Sequence, residues 1–557
     1  MSSMITTTAW VRRGVAAQFP TKYEIDEAEM NRISRLARMQ LEGARDDLSA
    51  ARDELNAARD GLKAVRDELN AAKGDGDAME EDHKDEAMEE DTEKKPSKEG
   101  AEPKTTKEED DILKEFDMEH YDSEEVDEDG EKITMFGNVQ SLAYHQPNEE
   151  DPYLVVPEDE DDEEREELQI LPTDNLLLAG KVEDEVAHLE VYVYEDKADN
   201  LYVHHDIMLP GIPLCLEWLD LPVGKTTEKT QGNFVAIGTM EPDIEIWDLD
   251  VVDSMYPNAI LGQGGQNDES TKKQKKKKAK ANDEYHIDSV LALAANRQHR
   301  NLLASASADR TVKLWDLNTA TCAKSYSHHT DKVCSLDWHP KEATVLLSGS
   351  YDRTVVAADM RAPDSLARWG VDADVETVRW DPHDPNFFYV TTDAGMVYRY
   401  DARHVPASPA ESKPVWTLQA HDSSVSSFDI HATIPGFLVT GSTDKEVKLW
   451  NVENDKPSLV VSRKLDVGKV FSTNFAPDAE VGFRIAVAGS KGTVQVWDSS
   501  TNGAVRRTFA SRLPDLEGDV EERTIGVNID DEEESDDEGG EGGEAGGPDG
   551  WESMDEE

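Results

Sequence analysis

The heptapeptide VKLWDLN at residues 312–318 decides the fold. Apolar and polar residues alternate through it, as in a half-buried β-strand, which places Val312 and Leu314 on one face and the charged residues on the other. The pattern recurs as IEIWDLD (244–250), VKLWNVE (447–453) and VQVWDSS (494–500). Weaker copies, LEVYVYED (189–196), VVAADMR (355–361) and VYRYDAR (397–403), put Tyr194, Ala358 and Tyr400 where Trp315 stands. Seven slots result, at Tyr194, Trp247, Trp315, Ala358, Tyr400, Trp450 and Trp497, separated by 53, 68, 43, 42, 50 and 47 residues. A period of roughly 40–45 residues is that of a four-stranded WD-type propeller blade. The long step contains GQGGQNDESTKKQKKKKAKAND (262–283), an insertion of loop composition. The expected fold is therefore all-β, a seven-bladed WD-repeat β-propeller over residues 166–514.

A second register supports the period. His286, His329 and His421 each stand twenty-nine residues before a slot, Ser305, Ser348 and Thr440 ten before, and Asp309, Asp352 and Asp444 six before. A histidine–hydroxyl–tryptophan–aspartate chain ending on Trp315 or Trp450 would satisfy buried polar groups and pin adjacent strands. A hydrolytic triad is needed once, in one pocket, whereas this set recurs at fixed spacing, so it reads as framework. The register fails in the fifth blade, with Val371 in the histidine place, and in the seventh, with Gly468 and Lys491 in the histidine and aspartate places; packing alone is expected to hold those blades. Trp218, Trp338 and Trp380, equivalent in their first strands, read as blade-to-blade packing. VFSTNFAP (470–477) through AVRRTFAS (504–511) reads as a complete seventh blade, which leaves LQILP (168–172) or PYLVV (152–156) to supply the inner strand of the first.

Outside the blades the chain is acidic. Residues 174–512 contain 49 acidic and 36 basic side chains, so the flanks carry −49 of the net charge of −62. Such segments cannot bury enough apolar area to fold alone, and they repel phosphates, so these acidic disordered N- and C-terminal arms are expected to contact basic proteins, ribosomal proteins or histones. Residues 41–73 repeat a heptad, with Leu41, Leu48, Leu55, Leu62 and Leu69 alternating with Ala44, Ala51, Ala58, Val65 and Ala72. That stripe fits a coiled coil or docking helix, and equally an exposed charged helix with a thin alanine seam. An acidic arm (74–165) and an acidic tail (515–557) complete the expected organisation. Two aromatic-containing peptides interrupt the arms: Trp10, Arg12, Arg13, Phe19 and Tyr23 within residues 1–40, and Leu113, Phe116 and Tyr121 within DDILKEFDMEHYDSE (110–124). These residue types are enriched at binding hot spots, and each peptide reads either as a partner-binding element or as one that packs on the chain's own propeller. The lysine cluster Lys272, Lys273, Lys275, Lys276, Lys277 and Lys278 is a nuclear localisation candidate, with a nucleic-acid contact or a solvated loop as alternatives. Ser123 and Ser535 stand among acids, where an acidophilic kinase would phosphorylate them.

Catalytic motifs are missing. Gly224-Lys225-Thr226 resembles the end of a phosphate-binding loop, but Leu219 occupies the required earlier glycine. No H-E-x-x-H, G-x-S-x-G or G-x-G-x-x-G motif occurs, and Cys215, Cys322 and Cys334 form neither a disulfide framework nor a zinc motif. No stretch approaches the roughly 18 apolar residues that cross a bilayer. The expectation is a protein that is not an enzyme, with no cofactor, metal, membrane or small-molecule substrate.

Several stretches beyond the generic blade, AWVRRGVAAQFPTKY (9–23), LKEFDMEHYD (113–122), AHLEVYVYED (187–196) with LYVHHDIMLPGIPLCLEWLD (201–220), and GNFVAIGTMEPDIEIWDLDVVD (232–253) before a lysine-rich insertion, closely resemble the periodic tryptophan protein 1 family of WD-repeat ribosome-assembly factors. The resemblance covers nearly the whole chain; the heptads and the glycine-rich acidic tail are less typical. It implies a nucleolar protein of large-subunit precursor assembly and ribosomal RNA processing. Its partners would be pre-ribosomal particle proteins and precursor RNA. A chromatin adaptor or histone-binding protein is the alternative, since acidic tails shield histones.

Overall fold

The computed structural model describes residues 3–23, 168–223, 231–262, 283–362, 365–509 and 522–526, with isolated positions at 25, 29–30, 33–34 and 165. They form seven four-stranded antiparallel sheets, the blades, and one short parallel ribbon pairing Thr21–Lys22 with Val251–Val252. Blade 3, from the inside outward, is Val290–Ala295, Leu302–Ser307, Val312–Asp316 and Thr321–Tyr326. The slot residue occupies the third strand of every blade, from Tyr194 in Val186–Glu195 to Trp497 in Val494–Asp498.

The expected one-sided burial of these strands is corrected. Both faces of a blade are covered by its neighbours, so Lys313 is 0% exposed and Trp315 1%, while Leu314 is only half-buried. The Lys313 ammonium donates to Ser325 Oγ at 2.8 Å, and burial holds its pKa below the usual lysine range.

Ring closure differs from the expectation at both chain ends. The inner strand of blade 1 is Ser3–Val11, paired antiparallel with Asn175–Glu183 and lying between the inner strands of blades 7 and 2. The LQILP stretch instead packs beneath the chain that follows this strand, where Ile170 N–H donates to Gln18 O at 3.0 Å and the side chain is buried. Blade 7 takes its outer strand from Arg523–Gly526, paired with Val494–Asp498. AVRRTFAS provides no strand: Gly503–Phe509 is a helix, and its Val505 and Phe509 are buried, with Phe509 packed on Phe437 at a ring separation of 4.4 Å. The propeller thus reaches beyond 166–514 in both directions.

In blades 1 to 5 and in blade 7 the inner strand carries a register shift, at Thr6, Leu214, Leu291, Cys334, Glu376 and Phe471. A bulge re-aims one side chain. All six line the central channel, a cavity of about 670 Å³.

Candidate partner-binding surface

The recurring polar sets are framework. In blade 3 the Trp315 indole N–H donates to Ser305 Oγ at 2.8 Å, Ser305 Oγ lies 2.7 Å from His286 Nε2, and His286 Nδ1 lies 2.9 Å from Asp309 Oδ2. Asp309 also accepts from the Thr311 amide and hydroxyl, so it closes the turn between the second and third strands. Blade 6 repeats the chain through Trp450, Thr440, His421 and Asp444 at 2.9, 2.8 and 2.8 Å. Blade 4 keeps His329, Ser348 and Asp352, at 2.8 and 3.1 Å, without the tryptophan, since Ala358 fills the slot. Burial holds the His286 and His421 rings below the usual imidazole range, against the pull of their aspartates. Burial pushes Asp309 up, but hydrogen bonds from His286 and Thr311 overcome it and hold the carboxyl at about 2. A neutral imidazole locked between a serine and an aspartate in a closed interior holds strands together and reaches no substrate.

The blades with a decayed register are not held by packing alone. Trp247 donates to Glu245 Oε2 at 3.1 Å, Tyr194 to Asp196 Oδ1 at 2.9 Å, Tyr400 to Gly370 O at 3.1 Å, and Trp497 to Glu522 Oε1 at 3.1 Å. A polar slot residue that is buried needs a partner, and any nearby acceptor serves. Burial, and then the Asp243 carboxylate, push the Glu245 carboxyl up to about 7 against the Trp247 hydrogen bond. Stitches between blades form further series that the sequence reading missed. Asn296 donates to Ala343 O at 2.6 Å, His339 Nε2 lies 3.0 Å from Pro385 O, and His383 Nε2 lies 2.8 Å from His431 O, each bond reaching the next blade. Trp338 binds Ala294 O of the preceding blade, Trp218 binds Asn233 Oδ1 within its own, and Trp380 packs edge-on against His339.

Of the two readings of the N-terminal peptide, the structure shows packing on the chain's own propeller. Trp10 is 9% exposed; its indole donates to Asn474 O of blade 7 at 3.1 Å and its ring meets Tyr194 edge-on at 5.8 Å. Arg13 bonds Asn175 and Glu480, Phe19 lies under Arg165 at 4.7 Å, and Tyr23 N–H donates to Val252 O. Only Arg12 of these five is largely exposed. An inner strand and the strap that follows it use these aromatics to close the ring. Leu113, Phe116, Tyr121, the heptads, the lysines of 272–278, Gly224-Lys225-Thr226, Ser123 and Ser535 lie outside the described residues.

Toward the far end of the channel, Asp337 Oδ2 accepts from Trp380 N–H at 2.6 Å, Asp429 Oδ2 from Phe475 N–H at 2.9 Å, and Glu217 Oε1 from Ala295 N–H at 3.2 Å. Burial pushes Asp337 up to about 6, partly opposed by Arg379. These carboxylates pin the inner strands of blades 2, 4 and 6 to the next blade. Among the described residues, no group of three or more histidines, cysteines or carboxylates is arranged to hold a metal ion.

A ring of four-stranded blades whose recurring polar sets bind strand to strand, with its rims and channel mouth left for contact, defines a WD-repeat scaffold protein. The family model for the WD domain, G-beta repeat, matches residues 282–316, 320–356 and 412–451, the segments that hold the three histidine sets. An uncharacterized WD repeat-containing protein of Schizosaccharomyces pombe is 47% identical, covering 92% of each chain. Periodic tryptophan protein 1 of Saccharomyces cerevisiae is 37% identical over 93% of this chain and 92% of its own, and the Drosophila melanogaster homolog is 31% identical over 73% and 82%. The chain belongs to the periodic tryptophan protein 1 family.

Proposed function

We propose that this scaffold acts in ribosome assembly, as a non-enzymatic factor of large-subunit precursor particles and ribosomal RNA processing. The observation that carries the reading is family membership across nearly the whole length, blades and N-terminal strap together. The flanks, at −49, suit basic ribosomal proteins and oppose direct contact with phosphates, so protein contacts dominate and precursor RNA is met mainly through them. The compartment follows from the particle: the protein works in the nucleolus, with Lys272–Lys278 as its nuclear address. The histone-adaptor reading draws on the same acidic flanks, and one experiment separates the two. In a sucrose gradient of nuclear extract the protein is expected in a large particle that ribonuclease disperses. Migration as a small, ribonuclease-insensitive species with histones, or absence from the nuclear extract, overturns the ribosomal reading.

A further inference from the structure

The channel has two ends of different chemistry. On the face that carries the His286 and His421 loops, the bulged residues alter the mouth from blade to blade. The bulge residues Phe471, Leu214 and Leu291 of blades 7, 2 and 3 line the channel, as does Met4 of blade 1, whose own bulge residue is Thr6; Phe471, Met4, Leu214 and Leu291 are all only partly buried. Outside them on the same face, Met240 is 54% and Ile287 42% exposed, and Ser289, two residues after Ile287, donates its hydroxyl to Met240 O at 2.8 Å. Methionine and leucine half-exposed around a concave opening make an adaptable apolar wall.

Blades 4 to 6 complete the mouth with Cys334, Tyr351, Glu376 and Ser426, and its negative charge comes from blade 5. Glu376 occupies the bulge position there, beside Tyr351, and the carboxylates of Asp374 and Asp393 act on it electrostatically. The Ser424 hydroxyl, a neutral donor, bonds its carboxylate at 3.0 Å, and Arg353 pairs with Asp374 at 2.9 Å. Burial and then those two carboxylates push the Glu376 carboxyl up, the behaviour of an acid placed where a cation would relieve it.

We propose that this mouth is a docking cup for a basic peptide segment of a partner protein, with an aliphatic or aromatic side chain against Leu214, Leu291 and Phe471 and a lysine or arginine on Glu376. The proposal deepens the scaffold reading and rests on it. Charge decides the class of occupant: carboxylates on the wall opposite the apolar arc repel a phosphate backbone and attract an ammonium or guanidinium.

The test uses the purified full chain and a phage-displayed dodecamer library, with the best binder then made as a synthetic peptide. Enriched peptides are expected to join a basic residue to a large apolar one. The synthetic peptide is expected to bind Glu376→Gln and Leu291→Asp each at least about tenfold more weakly, the loss of a central contact. Glu376→Gln keeps an acceptor for Ser424, and unchanged melting of both variants shows that the fold is intact; Leu214→Asp replaces Leu291→Asp if the latter does not fold. Because protonation of Glu376 removes the charge that holds the ammonium, affinity falls on acidification in the parent chain and less so in Glu376→Gln. Enrichment of peptides lacking basic residues, affinity indifferent to the variants, or an oligouridylate that binds the parent and is lost in the same variants overturns the cup. A chain that sediments in the ribonuclease-sensitive particle yet shows no such peptide preference loses the cup alone; the ribosomal reading stands.

Discussion

Blade 3 and the seam between blades 7 and 1 solve the same problem by opposite means. In blade 3 four consecutive strands lie within residues 290–326, and Trp315, Ser305, His286 and Asp309 bind one another inside or beside that segment. At the seam the inner strand of blade 1 is separated from the next by residues 12–174, and the outer strand of blade 7 comes from beyond the helix Gly503–Phe509. There the polar network runs across blades. Asp196 accepts from Tyr194 and pairs with Arg484 at 2.8 Å and Arg523 at 3.1 Å, Arg484 pairs with Asp498 at 2.7 Å, and Thr8 and Ser472 share a 2.8 Å bond. A blade built from neighbouring residues pays loop-closure entropy only over short turns, whereas a seam built from chain ends pays over long ones and must gain more from its contacts. The periodic blades define the ring, and the aperiodic ends determine whether it closes.

That comparison breaks first at the N-terminus. Removal of residues 1–11 takes away a strand in which Ile5 and Val11 are fully buried and Trp10 nearly so, and leaves the inner edges of blades 7 and 2 facing a gap. The expected outcome is loss of the cooperative unfolding transition and rapid proteolysis of the blades, read by calorimetry and limited trypsin digestion. Within that strand, Trp10→Ala is expected to cost about 3–5 kcal/mol, as for a large aromatic removed from a core. A stable, cooperative chain lacking residues 1–11 would mean that the ring does not depend on this closure.

The C-terminal half of the seam gives a smaller effect. A chain ending after Arg512 loses Arg523–Gly526, the Glu522 acceptor of Trp497 and the buried side chain of Ile525. An orphaned indole N–H and one lost aliphatic side chain predict a loss of about 3 kcal/mol. A chain ending after Gly526 is the control: equal melting of the two truncations would remove this strand from the closure.

How much of this was legible follows from what repeats. The blades and their histidine sets were readable because equivalent residues recur at fixed offsets. The stitches made by Asn296, His339 and His383 were not, because the residue type changes and the contexts are unlike, ANR, WHP and DPH. Ser3–Val11 was hidden for a different reason: SMITTTAWV is an inner strand and lacks the third-strand motif, and the partner of Trp10 lies at Asn474, 464 residues away. Trp10, Phe19 and Tyr23 resembled a binding peptide because the composition that suits a partner's surface also suits the chain's own. The channel mouth was equally illegible, since Leu214, Leu291 and Glu376 reach it only through bulges that the pattern does not announce.

The smallest effect tests the local side of the comparison, between two blades that differ at the slot. Ser305 serves two buried groups, the indole of Trp315 and His286 Nε2, whereas Ser348, with Ala358 in the slot, serves only the His329 ring and a long 3.4 Å bond to Val356 O. Replacing either serine by alanine removes little volume, so the cost is that of the polar groups left without partners, roughly 1–3 kcal/mol for each. Ser305→Ala orphans a donor and an acceptor, and Ser348→Ala orphans one ring nitrogen. The first is therefore expected to lower stability about twice as much as the second, measured as the difference in melting temperature under one set of conditions. Equal losses would show that the tryptophan draws nothing from the hydroxyl and that the histidine–aspartate pair alone holds these blades.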